Sequence, residues 1–380
     1  MTALAEEAMD TILEAVVFLD HFADLRDPRQ LIKVIYPLDE ILLLSLAAVL
    51  AGAETFTAIA QFGQDKLDFL KRFRTFANGT PDHDRLGEVF AALDSEQFQK
   101  CFVNFATALT GIPADVIAID GKTSRRAKKG GVNLTHIVSA FAARQRLVLG
   151  QVKVAEKSNE IVAIPKLLDM LAIEGAIITI DAMGCQREIA KKITGKKADY
   201  VLALKGNQGT LREDVELFAN EQKARNFKDT TVSQHSTIEK DHGRIETRHT
   251  TVFHDVGWLQ ELHDWPGLKA VVMVDSEREI GAKVERETRF YVTSSTDKAD
   301  KLGDVVRSHW AVESMHWLMD CVFRDDECRI RTNHAPANFT IIKHVAHNLL
   351  RLHPAKLSMT SKRLKAGWNE QFLASLIAST

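Results

Sequence analysis

Cysteine is scarce: Cys101, Cys185, Cys321 and Cys328 are the 4 in 380 residues, and none forms a CxxC pair. That spacing excludes a disulfide framework and a zinc ribbon, and it suits a reducing compartment. Long apolar runs are lacking too. The most apolar stretch, ILLLSLAAVLAG at 41–52, is far short of the roughly 20 residues that a membrane span needs, so it predicts a buried helix. The start, MTALAEEAMD, is acidic where a secretory leader would be basic. A cytoplasmic protein with no membrane partner is expected. Excess charge of one sign is also missing, with Lys+Arg 49 against Asp+Glu 51 for a net charge of −2. No global positive field marks a nucleic-acid partner, and any phosphate binding must come from local clusters of Lys and Arg. The chain has no internal repeat and no low-complexity tract.

With 45% apolar residues the chain can bury more than one core. Residues 1–112 read as an all-helical N-terminal domain: Leu42, Leu46, Val49 and Leu50, then Leu86, Val89, Phe90 and Leu93, recur at helical spacing. After Gly111-Ile112-Pro113 the texture changes to short apolar runs. VIAID (116–120), HIVSAFAA (136–143) and LVLGQVKV (147–154) predict three strands; a helix at about 160–173, a strand AIITIDAM (176–183), a helix at about 186–195 and a strand DYVLALK (199–205) follow. The order βββαβαβ is that of a ribonuclease H-like α/β core with a mixed sheet. Residues 113–206 form its first part, 207–287 a β-rich insertion, and 288–350 its second part. That part includes a helix at about 303–321 with Trp310, Glu313 and Trp317 on one face, both Trp read as core. Residues 351–380 read as a basic tail.

A carboxylate ending a buried strand is costly unless its desolvation is compensated, and two strands end this way, at Asp120 and Asp181. Neighbouring strands would bring the two together, and Glu313, on a helix rich in Trp and Leu, is a third acid that such a cluster can use. Few, hard oxygen ligands suit Mg²⁺ or Mn²⁺. A single strand-end Asp more often caps a turn; two such strands and a helical Glu make the metal reading the stronger one.

IDGKTSRRA at 119–127, TIDAMGCQ at 179–186, DYVLALKGNQ at 199–208 and HWAVESMHWLMD at 309–320 resemble the H-repeat-associated insertion-sequence transposases. So do IYPLDEILLLSLAAVLAG, HGRIETR at 242–248 and FRDDECRIR at 323–331, and the likeness spans nearly the whole chain. The resemblance implies a DDE transposase that cleaves DNA and transfers strands with two Mg²⁺ (or Mn²⁺) ions. Asp120 would bridge both ions, with Asp181 and Glu313 each helping to hold one. It also implies terminal inverted repeats and target DNA as partners, a homo-oligomer at least dimeric on paired ends, a nucleoid-associated location, and an N-terminal domain that binds ends or dimerises. Two other readings fit the same residues: a ribonuclease H-like nuclease without strand transfer, and a catalytically silent DNA-binding remnant. The wider group has Arg four residues before the third acid and Lys seven after it. Here His309 and Asp320 stand at those places, and Asp325-Asp326 replaces a common Glu-Asp pair.

Several cations are candidates for DNA contact. KTSRRAKK, with Lys122, Arg125, Arg126, Lys128 and Lys129, directly follows Asp120 and is either a phosphate-contacting or a solvated loop. Lys205, Asn207 and Gln208 end the strand at 199–205 and either reach DNA or make a plain turn. His242, Arg244, Glu246 and Arg248 alternate, giving one strand face that is a DNA surface or a salt-bridged ladder. Arg307, His309 or Arg329 are the replacements for the absent phosphate-contacting Arg and Lys. Ser and Cys lack any nucleophile-elbow context.

Overall fold

The structure, a computed structural model, describes residues 14–378 apart from 112–113, 124–127, 130–131, 134–135, 155–159 and 242. The chain divides into two compact units, Met1–Phe105 with Val322–Arg324 and Cys328–Thr380, and Ala106–Cys321 with Asp325–Glu327.

Helices build the first unit: α1 Val17–His21, α2 Leu38–Leu50, α3 Phe56–Asp65, α4 Leu67–Leu70, α5 His83–Ala92 and most of α6 Ser95–Thr110. Thr55 and Asp82 start α3 and α5, their side chains accepting from the Ala58 and Arg85 amides at 3.1 and 2.7 Å. The apolar stretch at 41–52 lies within α2, which is buried from Glu40 to Leu50. Its one buried carboxylate, Glu40, is satisfied by the Phe76 amide at 2.6 Å and the Thr75 hydroxyl at 3.1 Å. Residues 351–380 are expected as a basic tail, but the described part of that stretch includes two helices, 359–368 and 370–378. Helix α13 (Ala335–Leu352) packs on α2 and α5, and is followed by α14 Met359–Trp368 and α15 Glu370–Ala378. Their basic residues are used inside: buried Arg363 donates to the carbonyls of Val49, Ala53 and Val322, and Lys362 to that of Leu350. Composition alone does not separate such carbonyl-capping cations from solvated ones.

In the second unit the strands are β1 Val116–Thr123, β2 Lys128–Lys129, β3 Val132–Asn133, β4 His136–Ala142, β5 Leu147–Val154, β6 Ile177–Ile180, β7 Asp199–Leu204, β8 Val232–Asp241, β9 Arg244–Phe253, β10 Ala270–Ile280 and β11 Lys283–Thr293. The helices are α7 Glu160–Met170, α8 Arg187–Gly195, α9 Gly209–Ala224, α10 Gly257–His263, α11 Ala299–His309 and α12 Ala311–Cys321. Nine strands form one mixed sheet in the order β5-β4-β1-β6-β7-β11-β10-β9-β8, with β1, β6 and β7 parallel and the other pairs antiparallel. The β-rich stretch at 207–287 is therefore not a body apart from the sheet. Through Phe290↔Leu204 to Thr293↔Val201, β11 hydrogen-bonds to β7 and carries β10, β9 and β8 onto the same sheet. The expected helix at 303–321 is two helices meeting at Trp310. Helix α7 packs on β4 and β5, α8 on β7, and α11 and α12 over β1. No described helix is long and apolar enough to cross a membrane.

Candidate active site

Strand register builds the site. Parallel pairing of β1 with β6 ends at Ile119↔Ile180, so the next residue on each strand, Asp120 and Asp181, stands beside the other at the C-terminal edge of the sheet. The intervening β4, β5 and α7 fold away on the far side of β1. Isoleucines on both strands are buried and hold the ends in place. Asp181 Oδ1 accepts from the amides of Met183 (3.1 Å) and Gly184 (3.4 Å), a local turn that aims its carboxylate. Glu313, in the first turn of α12, lines the same cavity of about 380 Å³ as Asp120 and Asp181.

Asp120 is raised from the ordinary carboxylate range to about 7, first by burial and then by the negative charge of Asp181, with smaller contributions from Glu160 and Glu313. One carboxyl taking up a proton is how such a cluster relieves itself in the absence of a cation. The donor set is all oxygen, half-buried at Asp120 and Asp181 and exposed at Glu313, which fits a small divalent ion that keeps some of its waters. Among the described residues no trio of His, Cys, Asp or Glu has its donor atoms at metal-binding spacing; the acids share a cavity and not a closed cage.

Around the acids lie the sequence candidates His309 and Lys205 and other residues that the sequence left unassigned. Glu160 at the start of α7 bonds His136 Nε2 at 2.7 Å and occupies the space beside Gly121, where a Cβ would collide with its carboxylate. His316 Nδ1 is 3.5 Å from Asp120 Oδ2. Burial, and then the charge of Lys122, lowers His316 to about 4, so it is neutral and this contact is not an ion pair. His309 is bonded to the Thr179 hydroxyl at 2.9 Å and lowered by burial, and lines the cavity without a charge. Arg212 and Arg289 also line it, with Lys205. Nothing in the local sequence marks those two arginines, because they reach the acids only through the pairing of β11 with β7 and the packing of α9.

The other sequence candidates fall in several places. Lys122 is bound by Asp320, with Asp325 at 3.7 Å and Asp326 at 4.0 Å. Arg125 and Arg126 lie outside the described residues, as do the side chains of Lys128 and Lys129. Asn207 and Gln208 brace the loop after Asp181, donating to the carbonyls of Ala182 (2.6 Å) and Cys185 (2.9 Å). Arg244 and Arg307 line a second cavity of about 330 Å³ with Arg248, Arg278 and Arg289; it shares Glu287, Arg289, Tyr291, Val306 and Trp310 with the first. Arg248 there bridges Glu239 (3.1 Å) and Glu246 (2.6 Å), which is the ladder reading of that strand; His242 lies outside the described residues. Arg329 is exposed on the first unit. The two Trp are not core: Trp317 is 62% exposed and Trp310 37%, the latter under the Arg289 guanidinium at 5.0 Å. Apolar spacing suggests burial for both, but the acid cavity opens at Trp310, and Trp317 lies on an exposed face of α12.

Residues 111–349 match the family described as "Transposase DDE domain", and 19–106 one described as "DDE_Tnp_1-associated". Relatives in Escherichia coli include "H repeat-associated putative transposase YhhI" of strain K12, 38% identical over 97% of this chain and 99% of that protein. "Putative transposase YncI" of O157:H7 is 38% identical over 95% and 94%. A much shorter relative, "Inactive transposase YbfQ" of strain K12, is 42% identical over 77 residues, 20% of this chain. By the extent of these matches the chain belongs to the H repeat-associated family of DDE transposases.

Proposed function

We propose that this chain cuts DNA at the ends of an insertion sequence and joins those ends to a target, with Asp120, Asp181 and Glu313 holding the metal. The observation that carries this reading is the register Ile119↔Ile180, which sets the two strand-end acids side by side in a cavity that Glu313 also lines. The βββαβαβ order and the position of the acids agree with a ribonuclease H-like catalytic core. Two Mg²⁺ or Mn²⁺ ions bound there supply charge stabilisation for both the attacking and the leaving oxygen of an in-line phosphoryl displacement.

The chain's own groups do the positioning. Asp120, on the sheet between β4 and β6, would hold the metal together with Asp181 and Glu313. A neutral His309 cannot replace the charge of an arginine, so contact with the scissile phosphate falls to Lys205, Arg212 and Arg289 in the same cavity. Water or a DNA 3′-hydroxyl is the nucleophile, so no side chain is acylated or phosphorylated. The arginines of the second cavity, Arg244 and Arg307 among them, take DNA beyond the cut. The helical first unit binds ends or dimerises, because joining two ends to one target requires at least two copies. Cytoplasmic work on nucleoid DNA follows from that substrate.

The test is to incubate purified protein with labelled DNA carrying its element's ends and Mg²⁺ or Mn²⁺, and to run a denaturing gel. Metal-dependent nicks at the element boundary and joined products are expected. Nicks without joining would make the chain a simple nuclease, and binding without nicks under either metal a silent remnant.

A further inference from the structure

Lys122 lies two residues beyond Asp120 on β1, so strand alternation puts both side chains on one face. Glu313, His316 and Asp320 lie at i, i+3 and i+7 on α12 and share one helix face. The two faces meet at matching intervals: His316 stands against Asp120, and Asp320 binds Lys122. Four helical residues advance about 6 Å and two strand residues about 6.6 Å, so helix and strand run in step over this distance. Two further carboxylates, Asp325 and Asp326 in the turn after α12, close on the same ammonium group. The Lys122 side chain is 15% exposed and faces three acids with one charge, which makes it a poor free ligand for a DNA phosphate.

We propose that Lys122, clasped by Asp320, is a positioning residue that fixes the register of α12 along β1 and so sets Glu313, one turn before His316, in the cavity it shares with Asp120. This rests on the assignment of those acids to the metal site. Part-buried ion pairs add little net stability, but fixing register is the use best attested for them. A slip of one helical turn would carry Glu313 about 5.4 Å along the strand. The two departures from the wider group's pattern then belong together: Asp320, standing where a lysine is usual, and Asp325-Asp326 receive their cation from β1.

Lys122→Met, Asp320→Asn, the conservative Lys122→Arg and the reversal Lys122→Asp/Asp320→Lys test this in the full chain. Three quantities are read: calorimetric titration with Mn²⁺ alone, gel-shift binding of element ends, and cleavage rate. Each neutral single variant should weaken Mn²⁺ binding and slow cleavage by about 10²-fold, the usual scale for a misplacement near 1 Å, with end binding held within about twofold. Lys122→Arg should keep Mn²⁺ binding near wild type, and the reversal should recover most of both losses. Unchanged Mn²⁺ binding in Lys122→Met, with end binding lost and the salt slope reduced by about 1, would make Lys122 a phosphate contact and overturn the proposal. A folded reversal no better than the single variants would also overturn it, as would failure of Lys122→Arg to retain Mn²⁺. Asp181→Asn run alongside separates the two levels: Mn²⁺ binding unaffected there would remove the metal site itself and not the register argument.

Discussion

The two ends of the nine-stranded sheet use carboxylates in opposite ways. At the end made by β1 and β6, Asp120 and Asp181 follow buried isoleucines and face other acids, and Asp120 is pushed up to about 7. At the other end β9, β10 and β11 start or finish in the core but run on past it, through 244–249, 275–280 and 283–289, as partly or fully exposed arms. There Glu239, Glu285 and Glu287 each lie against a cation. The Arg248 hydrogen bond holds Glu239 below the usual range, Arg289 does so for Glu287, and Lys283 for Glu285. Paired acids on a strand are structure; unpaired acids driven together by register mark a site. The boundary between the two regimes falls at the wall shared by the two cavities, where Arg289 lies over Trp310.

The comparison breaks most directly at the acids. Asp181→Asn should lower cleavage by at least about 10³-fold while leaving end binding intact, because it removes a metal ligand that the chemistry needs and end binding does not use. Cleavage assays and gel shifts on one preparation check this; retained cleavage contradicts the assignment. In the buried part of the ladder end, Phe253→Ala should cost about 3–5 kcal/mol of stability by chemical denaturation, since the ring is fully buried against Phe218 and Phe227.

A third prediction concerns pH. Burial and Asp181 raise Asp120 to about 7, so the folded chain holds this proton more tightly than the unfolded chain. The stability that this confers is present below the ordinary carboxylate range and is lost as pH rises through 7. Asp120→Asn cannot ionise, and in EDTA it should be more stable than wild type at pH 8 by on the order of 2–4 kcal/mol, with the difference closing towards pH 4. A parallel pH dependence in both proteins would show that Asp120 is not held in this way. The smallest effect is expected on the exposed arm. Arg286, bonded to Glu277 at 2.6 Å with its side chain 76% exposed, should tolerate Ala at a cost below about 1 kcal/mol.

Much of this was legible in the sequence, and the failures share a cause. The strands around Asp120 and Asp181 follow from apolar runs that end in an acid, and α2 from apolar residues too few to span a membrane. How the β-rich insertion joins the sheet was not legible, because alternation looks the same in an isolated hairpin and in a sheet extension; only the pairing of Phe290 with Leu204, 86 positions apart, distinguishes them. The break at Trp310 leaves helical spacing undisturbed on both sides. Lys122 and Asp320 are 198 positions apart, and a charge run next to a strand-end acid gives no sign of which of its members is already held. The two Trp were assigned to the core on residue type, whereas a helix that borders an open cavity exposes part of its face.

The central claim is that Asp120, Asp181 and Glu313 act as one metal-holding group. Titrating Mn²⁺ into the protein bound to its element's ends, for wild type and for Asp120→Asn, Asp181→Asn and Glu313→Gln, tests it most directly. Binding in the wild type that is sharply weakened in each of the three variants is the predicted result; affinity unchanged in any one of them would contradict it.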